Sequence, residues 1–96
     1  MRKMSGTEPY SSLEITRTFL ETLCSREFSI AERRQFLNAL DLLNTNERHP
    51  SLRVHQLRGE LDGVWSASAS RSLRITFERR TGGIKRLIAC TRHYDD

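Results

Sequence analysis

Leu73-Arg74-Ile75-Thr76-Phe77-Glu78 alternates apolar and polar side chains without a break. A period of two is that of a β-strand, whose successive side chains point to opposite faces of a sheet. Leu73, Ile75 and Phe77 then belong on a covered face, and Arg74 and Thr76 on the other. Working outward, Thr81-Gly82-Gly83 predicts a hairpin turn, and residues 84–91 a returning last strand. On the other side, residues 64–69 read as a strand with Trp65, Ala67 and Ala69 facing one way and Ser66 and Ser68 the other. Residues 60–63 make a turn, and residues 51–58 read as a further strand anchored by Leu52, Val54 and Leu57.

The first half has a different period. Leu13 and Ile15 alternate with Glu14 and Thr16, a short first strand. Phe19, Leu20 and Leu23 then fall on one helical face, and that helix stops near Ser25. Ser29, with Glu32 three residues on, has capping-box spacing. It predicts a helix to about Leu43, with Phe36, Leu37, Leu40 and Leu43 as the buried stripe and Arg33, Arg34 and Asp41 mostly outward. Pro50 forces an extended entry into the strand predicted at 51–58. Residues 1–11 carry Gly6 and Pro9 and have no period, which reads as a disordered N-terminal tail ahead of one domain over 12–96. The expected class is α+β: an N-terminal helical hairpin packed on one face of a small antiparallel β-sheet, with the other face open.

Composition narrows the function. A chain of 96 residues with 36% apolar content builds one modest core, whose stability is sensitive to a bound partner. No apolar run is long enough to span a membrane, and the N-terminus lacks the apolar stretch of a secretory signal, so a cytoplasmic protein is expected. Cys24 and Cys90 have no metal-ligand spacing; a disulfide is compatible with the sequence, but two buried free thiols are the expectation in a reducing compartment. There is no glycine-rich phosphate loop, no HExxH and no serine-nucleophile elbow, and Asp95-Asp96 reads as a solvated terminal pair, so no metal or cofactor is expected.

The charge is uneven along the chain. Residues 1–50 hold seven Lys/Arg against seven Asp/Glu, whereas residues 51–96 hold nine against five and carry the whole net +4. Eight of those nine are arginines, whose planar fork suits phosphate. A polyanion partner is one reading of the excess and a solvated basic face is the other. Arg74 sharpens the choice, because an arginine in mid-strand on an open face needs either an anion above it or a cross-strand carboxylate such as Glu78 or Glu60. His49, before Pro50, reads as a surface or capping residue. His55, in a strand, and His93, beside Tyr94 just past the last strand, are candidates for proton transfer on the same face. Such a set serves metal-independent RNA cleavage: a base deprotonates a ribose 2′-hydroxyl, the arginine stabilises the phosphorane, and an acid protonates the leaving 5′-oxygen. Which histidine is base and which acid stays open.

The stretch His49-Pro50-Ser51-Leu52-Arg53-Val54-His55-Gln56-Leu57-Arg58-Gly59-Glu60-Leu61-Asp62-Gly63-Val64-Trp65-Ser66 resembles a segment of the RelE/ParE-superfamily toxins. Leu73 to Phe77 is similar to that family's arginine-bearing strand, and the ending His93-Tyr94 to the tail of its YoeB-like branch. Together the resemblance covers about residues 13–94. It implies cleavage of mRNA, usually on the ribosome, and a cognate antitoxin that blocks the site. It places His55 at a general-base position, Arg74 at the phosphate-binding arginine, His93 at the C-terminal histidine taken as acid, and Tyr94 beside it. Glu60 falls near an acidic position used by YafQ-like members, and equally suits a turn beside Gly59. Arg58 and Arg92 suit RNA contacts or a solvated surface. The tail departs from the "GTH" ending of many YafQ-like members, since Cys90-Thr91-Arg92 precedes His93. The same fold serves ParE-like proteins, which inhibit DNA gyrase through a protein contact and cleave nothing, and a degenerate, non-cleaving member is a third reading.

Overall fold

The computed structural model describes residues 10–59 and 63–92. The order is strand β1 (Leu13–Glu14), helix α1 (Arg17–Leu23), helix α2 (Ile30–Thr45), then β2 (His55–Gln56), β3 (Val64–Ser68), β4 (Leu73–Arg79) and β5 (Lys85–Arg92). The sheet runs β1-β5-β4-β3-β2. Strands β2 to β5 form the expected antiparallel meander, and β1 adds to the far edge in parallel with β5. The α+β class, with helices on one side of the sheet, is as the patterning implied.

Local chemistry sets the helix ends. The Thr16 hydroxyl accepts from the Phe19 amide and donates to the Leu87 carbonyl, so one side chain starts α1 and pins it to β5. Ser29 and Glu32 form the full capping box at the start of α2, each satisfying the other's backbone amide. From α2 the Arg33 side chain reaches back to the carbonyls of Leu23 and Ser25 at the end of α1, closing the helical hairpin.

Phe19, Phe36, Leu40 and Leu43 are fully covered and meet Leu73, Ile75, Phe77 and Leu87 from the sheet. Phe28 packs edge-on against Phe36 with ring centroids 4.9 Å apart. The predicted stripe on α2 needs one correction: Leu37 is 44% exposed, and Ala39 takes the buried place. A small residue there lets the helix approach the sheet closely. On α1, Phe19 is buried and Leu20 is 48% exposed, so the short helix hides a narrower face than its three apolar residues implied.

Residues 51–58 are not one strand. Pro50–Leu52 forms a 3-10 turn, capped by the His49 ring, and only His55–Gln56 pairs with β3. Proline at the first position favours the turn, and the buried Leu52 plugs it into the core. The thiols differ from expectation as well: Cys90 is buried, its thiol pushed up to about 12 by burial, but Cys24 is exposed at the end of α1, where the helix stops short of the core. Of the stretch read as a tail, residues 1–9 lie outside the described residues. Tyr10 packs against the core and donates to Asp41, and the Ser12 hydroxyl bonds to Asn44.

Candidate active site on the open sheet face

Strand register fixes which side chains share the face away from the helices, where Ser66 and Ser68 are nonetheless buried at 3% and 8% exposure. His55 pairs with Ser66, Ser66 with Thr76 and Thr76 with Ala89, which makes one row across four strands. Two residues along, Ser68, Arg74 and Thr91 form the next row. Paired residues in a sheet point the same way, so both rows lie opposite Ala67, Ile75 and Phe77, which face the helices. His55 and Arg74 are therefore on one face, two strands and two residues apart, or about 12 Å between Cα atoms from standard sheet spacings. A bulge in β5 leaves Ile88 without a partner between Leu87 and Ala89 and so keeps Ala89 and Thr91 on the open side.

His55 is exposed, and its ring is held from below. Nδ1 lies 2.8 Å from the Arg53 carbonyl oxygen. A carbonyl only accepts, so Nδ1 carries a hydrogen, and in the neutral ring Nε2 is the free lone pair turned to solvent. The carbonyl is presented by an uncommon backbone: Arg53 has φ 47° and ψ 47°, the left-handed region. It follows the 3-10 turn that the buried Leu52 anchors, so core packing sets the orientation of an exposed ring. His49 is held in the opposite tautomer, its Nδ1 accepting from the Ser51 amide at 3.2 Å, which confirms it as a capping residue.

Arg74 makes no ion pair among the described residues. One of its terminal nitrogens donates instead to the carbonyls of Ser70, Arg71 and Leu73 at 3.0, 3.2 and 3.2 Å. The side chain braces the β3–β4 turn and stays half-buried, with its charge uncompensated by any carboxylate among those residues. Glu78, one carboxylate that sequence offered as a partner, makes no ion pair with Arg74; its backbone is in register with Val64 and Arg86.

Arg92 is placed differently. It extends to the helix side, where its two terminal nitrogens meet the Glu32 carboxylate at 2.8 and 3.0 Å and the guanidinium lies over the Phe28 ring. That pairing holds the Glu32 carboxyl down at about 2, with help from the Ser29 amide. Arg58 is exposed beyond β2, with no ion pair among the described residues. Glu60, His93 and Tyr94 lie outside the described residues. The structure thus brings together His55 and Arg74, with Ser66, Thr76 and Thr91 between and beside them. It puts Arg92 on the other side of the sheet. Arg53 had no sequence signal, because arginine carries no preference for positive φ.

The same overall arrangement recurs in solved structures. The YoeB/ParE toxin from Agrobacterium tumefaciens superposes with a TM-score of 0.61 at 20% identity, over 86% of this chain and 99% of that one. The chain has the RelE/ParE toxin fold. The YoeB–YefM complex from Staphylococcus aureus gives 0.64 at 13% identity over 85% of this chain and 95% of that one. The Escherichia coli DinJ–YafQ toxin–antitoxin complex gives 0.58 at 15% identity, over 84% and 90%. No family model and no curated protein matches the chain by sequence. The RelE/ParE fold does not by itself choose between activities.

Proposed function

We propose that this RelE/ParE-fold protein is the toxin of a type II toxin–antitoxin system and cleaves mRNA on the ribosome without a metal ion. The observation that carries the reading is the pairing, on one open sheet face, of a tautomer-fixed histidine with an arginine that has no carboxylate partner among the described residues. In this scheme Nε2 of His55 takes the proton from a ribose 2′-hydroxyl, and the 2′-oxygen attacks the adjacent phosphorus. Arg74 stabilises the phosphorane, the bond from phosphorus to the 5′-oxygen breaks, and His93 protonates that oxygen with Tyr94 beside it. The products are a 2′,3′-cyclic phosphate and a free 5′-hydroxyl. Arg58, just past β2, and Glu60 act as RNA contacts in the same scheme, whereas Arg92 is engaged with Glu32 and supports the helix–sheet junction.

A cognate antitoxin is the proposed protein partner. The DinJ–YafQ structure is a toxin–antitoxin complex, and this chain leaves Ile15, Leu20, Ile30 and Leu37 exposed around its helical half. Among the described residues no helix is long and apolar enough to cross a membrane, and the proposed site of action is the cytoplasm.

The test is to add the purified chain to ribosomes carrying a defined mRNA and map the 5′ ends of the fragments. Cuts at fixed codon positions, lost in Arg74→Ala and His93→Ala, are expected. Intact mRNA together with inhibited gyrase supercoiling overturns the nuclease reading in favour of the ParE-like one, and inertness in both assays points to a degenerate member.

A further inference from the structure

A cleft of about 970 Å³ opens beside the open sheet face, between α2, the 3-10 turn and the β3–β4 turn. It exists because β2 pairs only with Trp65 and Ser66, so the end of β3 has no strand beside it on that edge among the described residues. Three arginines line it, Arg53, Arg71 and Arg74, and no acidic residue does among the described residues. Ser68 also lines it. Ser68 is 8% exposed, and among the described residues its hydroxyl has no hydrogen-bond partner. A buried hydroxyl without a protein partner is uncommon in a folded protein, and a ligand atom or a water completes its bonding. Opposite, Gln35 and Asn38 present side-chain amides one helical turn apart, above an apolar floor of Ala39 and Leu42.

We propose that this cleft seats the nucleotide next to the one that is cut. Its phosphate meets Arg53, Arg74 and the Ser68 hydroxyl, and its base lies on Ala39 and Leu42 with its edge read by Gln35 and Asn38. Two guanidinium groups with no carboxylate partner among the described residues suit a phosphate diester. An amide offers a donor and an acceptor side by side, which matches the N6–N7 edge of adenine, and adenine is the base we assign to it. The volume is ample for one nucleotide and falls in the range of ordinary ligand pockets. Arg74 lies at the junction of cleft and open sheet face, so a single strand passes from one to the other without a break. The inference rests on the nuclease reading and adds to it a base preference and the residues that set it.

The test uses the full chain and uncleavable 2′-O-methyl trinucleotides that differ only in the base at this position, titrated while amide NMR signals are followed. The side-chain signals of Gln35 and Asn38 are expected to shift, with the adenine form binding about five- to tenfold more tightly than the uracil form. Gln35→Ala and Asn38→Ala, both on the cleft side of α2, are each expected to weaken binding of the adenine form about fivefold, the worth of one neutral hydrogen bond. Ser68→Ala is expected to weaken every trinucleotide while leaving thermal stability unchanged or higher, an outcome that a purely structural serine does not give. Shifts confined to His55, Thr76 and Thr91 overturn the cleft and leave the nuclease reading intact. No shift with any RNA overturns the cleft as a nucleotide site, while loss of cleavage on ribosomes is what overturns the nuclease reading. Shifts at the cleft with an acidic peptide but not with RNA overturn the nucleotide site and reassign the cleft to a protein partner.

Discussion

Arg74→Ala separates the catalytic reading of the open face from a structural one, because the two assign the side chain very different energies. In the structure one terminal nitrogen is shared among three carbonyls of the β3–β4 turn at 3.0 to 3.2 Å. Three bonds from one nitrogen are not three independent contributions, and the carbonyls of an exposed turn regain water when the arginine is removed. The stability cost is therefore that of about one hydrogen bond, ~1 kcal/mol, or a drop of roughly 4–8 °C in melting temperature for a domain of this size. The cost to chemistry is larger. Removing a group that stabilises charge developing in the transition state costs about 2.7–4 kcal/mol, a loss of roughly 10² to 10³ in rate. Arg74→Lys keeps the charge but lacks the fork needed to brace the turn and face a phosphate together, and is expected to lose about tenfold or more. The assay is single-turnover cleavage of ribosome-bound mRNA at a temperature where thermal melts show every variant fully folded. If Arg74→Ala melts within that range and cleaves within about threefold of the parent, the arginine is a turn brace and the proposed mechanism fails.

Three other perturbations probe neighbouring parts of the structure. His55→Ala is expected to slow cleavage by about 10² to 10⁴, and nitrogen chemical shifts of the His55 ring should report a proton on Nδ1 in its neutral form; a proton on Nε2 instead contradicts the bond to the Arg53 carbonyl. Glu47 accepts from Arg79 at 2.6 Å and sits 3.4 Å from the ammonium of Lys85, whose side chain is 5% exposed, so Glu47→Ala leaves a covered cation with the Ser12 hydroxyl alone among the described residues. The expected cost in urea unfolding is about 2 kcal/mol, below the usual figure for breaking a buried pair because Glu47 itself is partly exposed, and Glu47→Leu combined with Lys85→Met should recover much of it. The Glu32 carboxyl is held at about 2, against an ordinary 4.5, by Arg92 first and the Ser29 amide second. A lowered folded value means that this stabilisation is complete above about pH 4.5 and is lost as pH falls towards 2. Urea midpoints of the parent and Glu32→Gln should accordingly converge over that window, and parallel curves are the refuting result.

The fold is legible in the sequence because its strongest signals are local. Period two across Leu73 to Glu78 assigns a strand and both of its faces, and Ser29 with Glu32 places the start of α2 at the right residue. The misplaced strand at residues 51–58 has a definite cause: Leu52, Val54 and Leu57 are spaced like strand anchors, but Pro50 favours a 3-10 turn and Arg53 takes a left-handed conformation that its residue type does not announce. Leu37 and Ala39 exchange places because a hydrophobicity pattern weights size, whereas a helix lying close to a sheet admits a small residue at the contact. At the site, the face shared by His55 and Arg74 follows from strand phase alone. The Arg53 carbonyl under His55 depends on a left-handed Arg53, and the burial of Ser68 on contacts distant in the chain, neither of which periodicity carries.

Charge shows most clearly why the site needed the structure. Counted along the chain, the second half holds all the excess, but distance along the chain is not distance in space. Arg86 pairs with Glu14, Arg79 and Lys85 with Glu47, and Arg92 with Glu32 and Glu27, so acids of the neutral first half neutralise the bases of the second. Those bases hold the helices and β1 to the sheet. The arginines left without a carboxylate partner among the described residues include Arg53, Arg58 and Arg74, set along β2, its approach and the β3–β4 turn. A bare count of basic residues implied a broad polyanion surface. Of the second-half arginines left after pairing, Arg53, Arg58 and Arg74 border one histidine and one cleft, whereas Arg80 lies apart at the β4–β5 turn. Screening weakens exposed charges more than half-buried ones, so Arg74 should keep more of its hold on a phosphate in physiological salt than the exposed Arg58. In the proposed scheme an RNA would then be held more firmly at the point of cleavage than along its length.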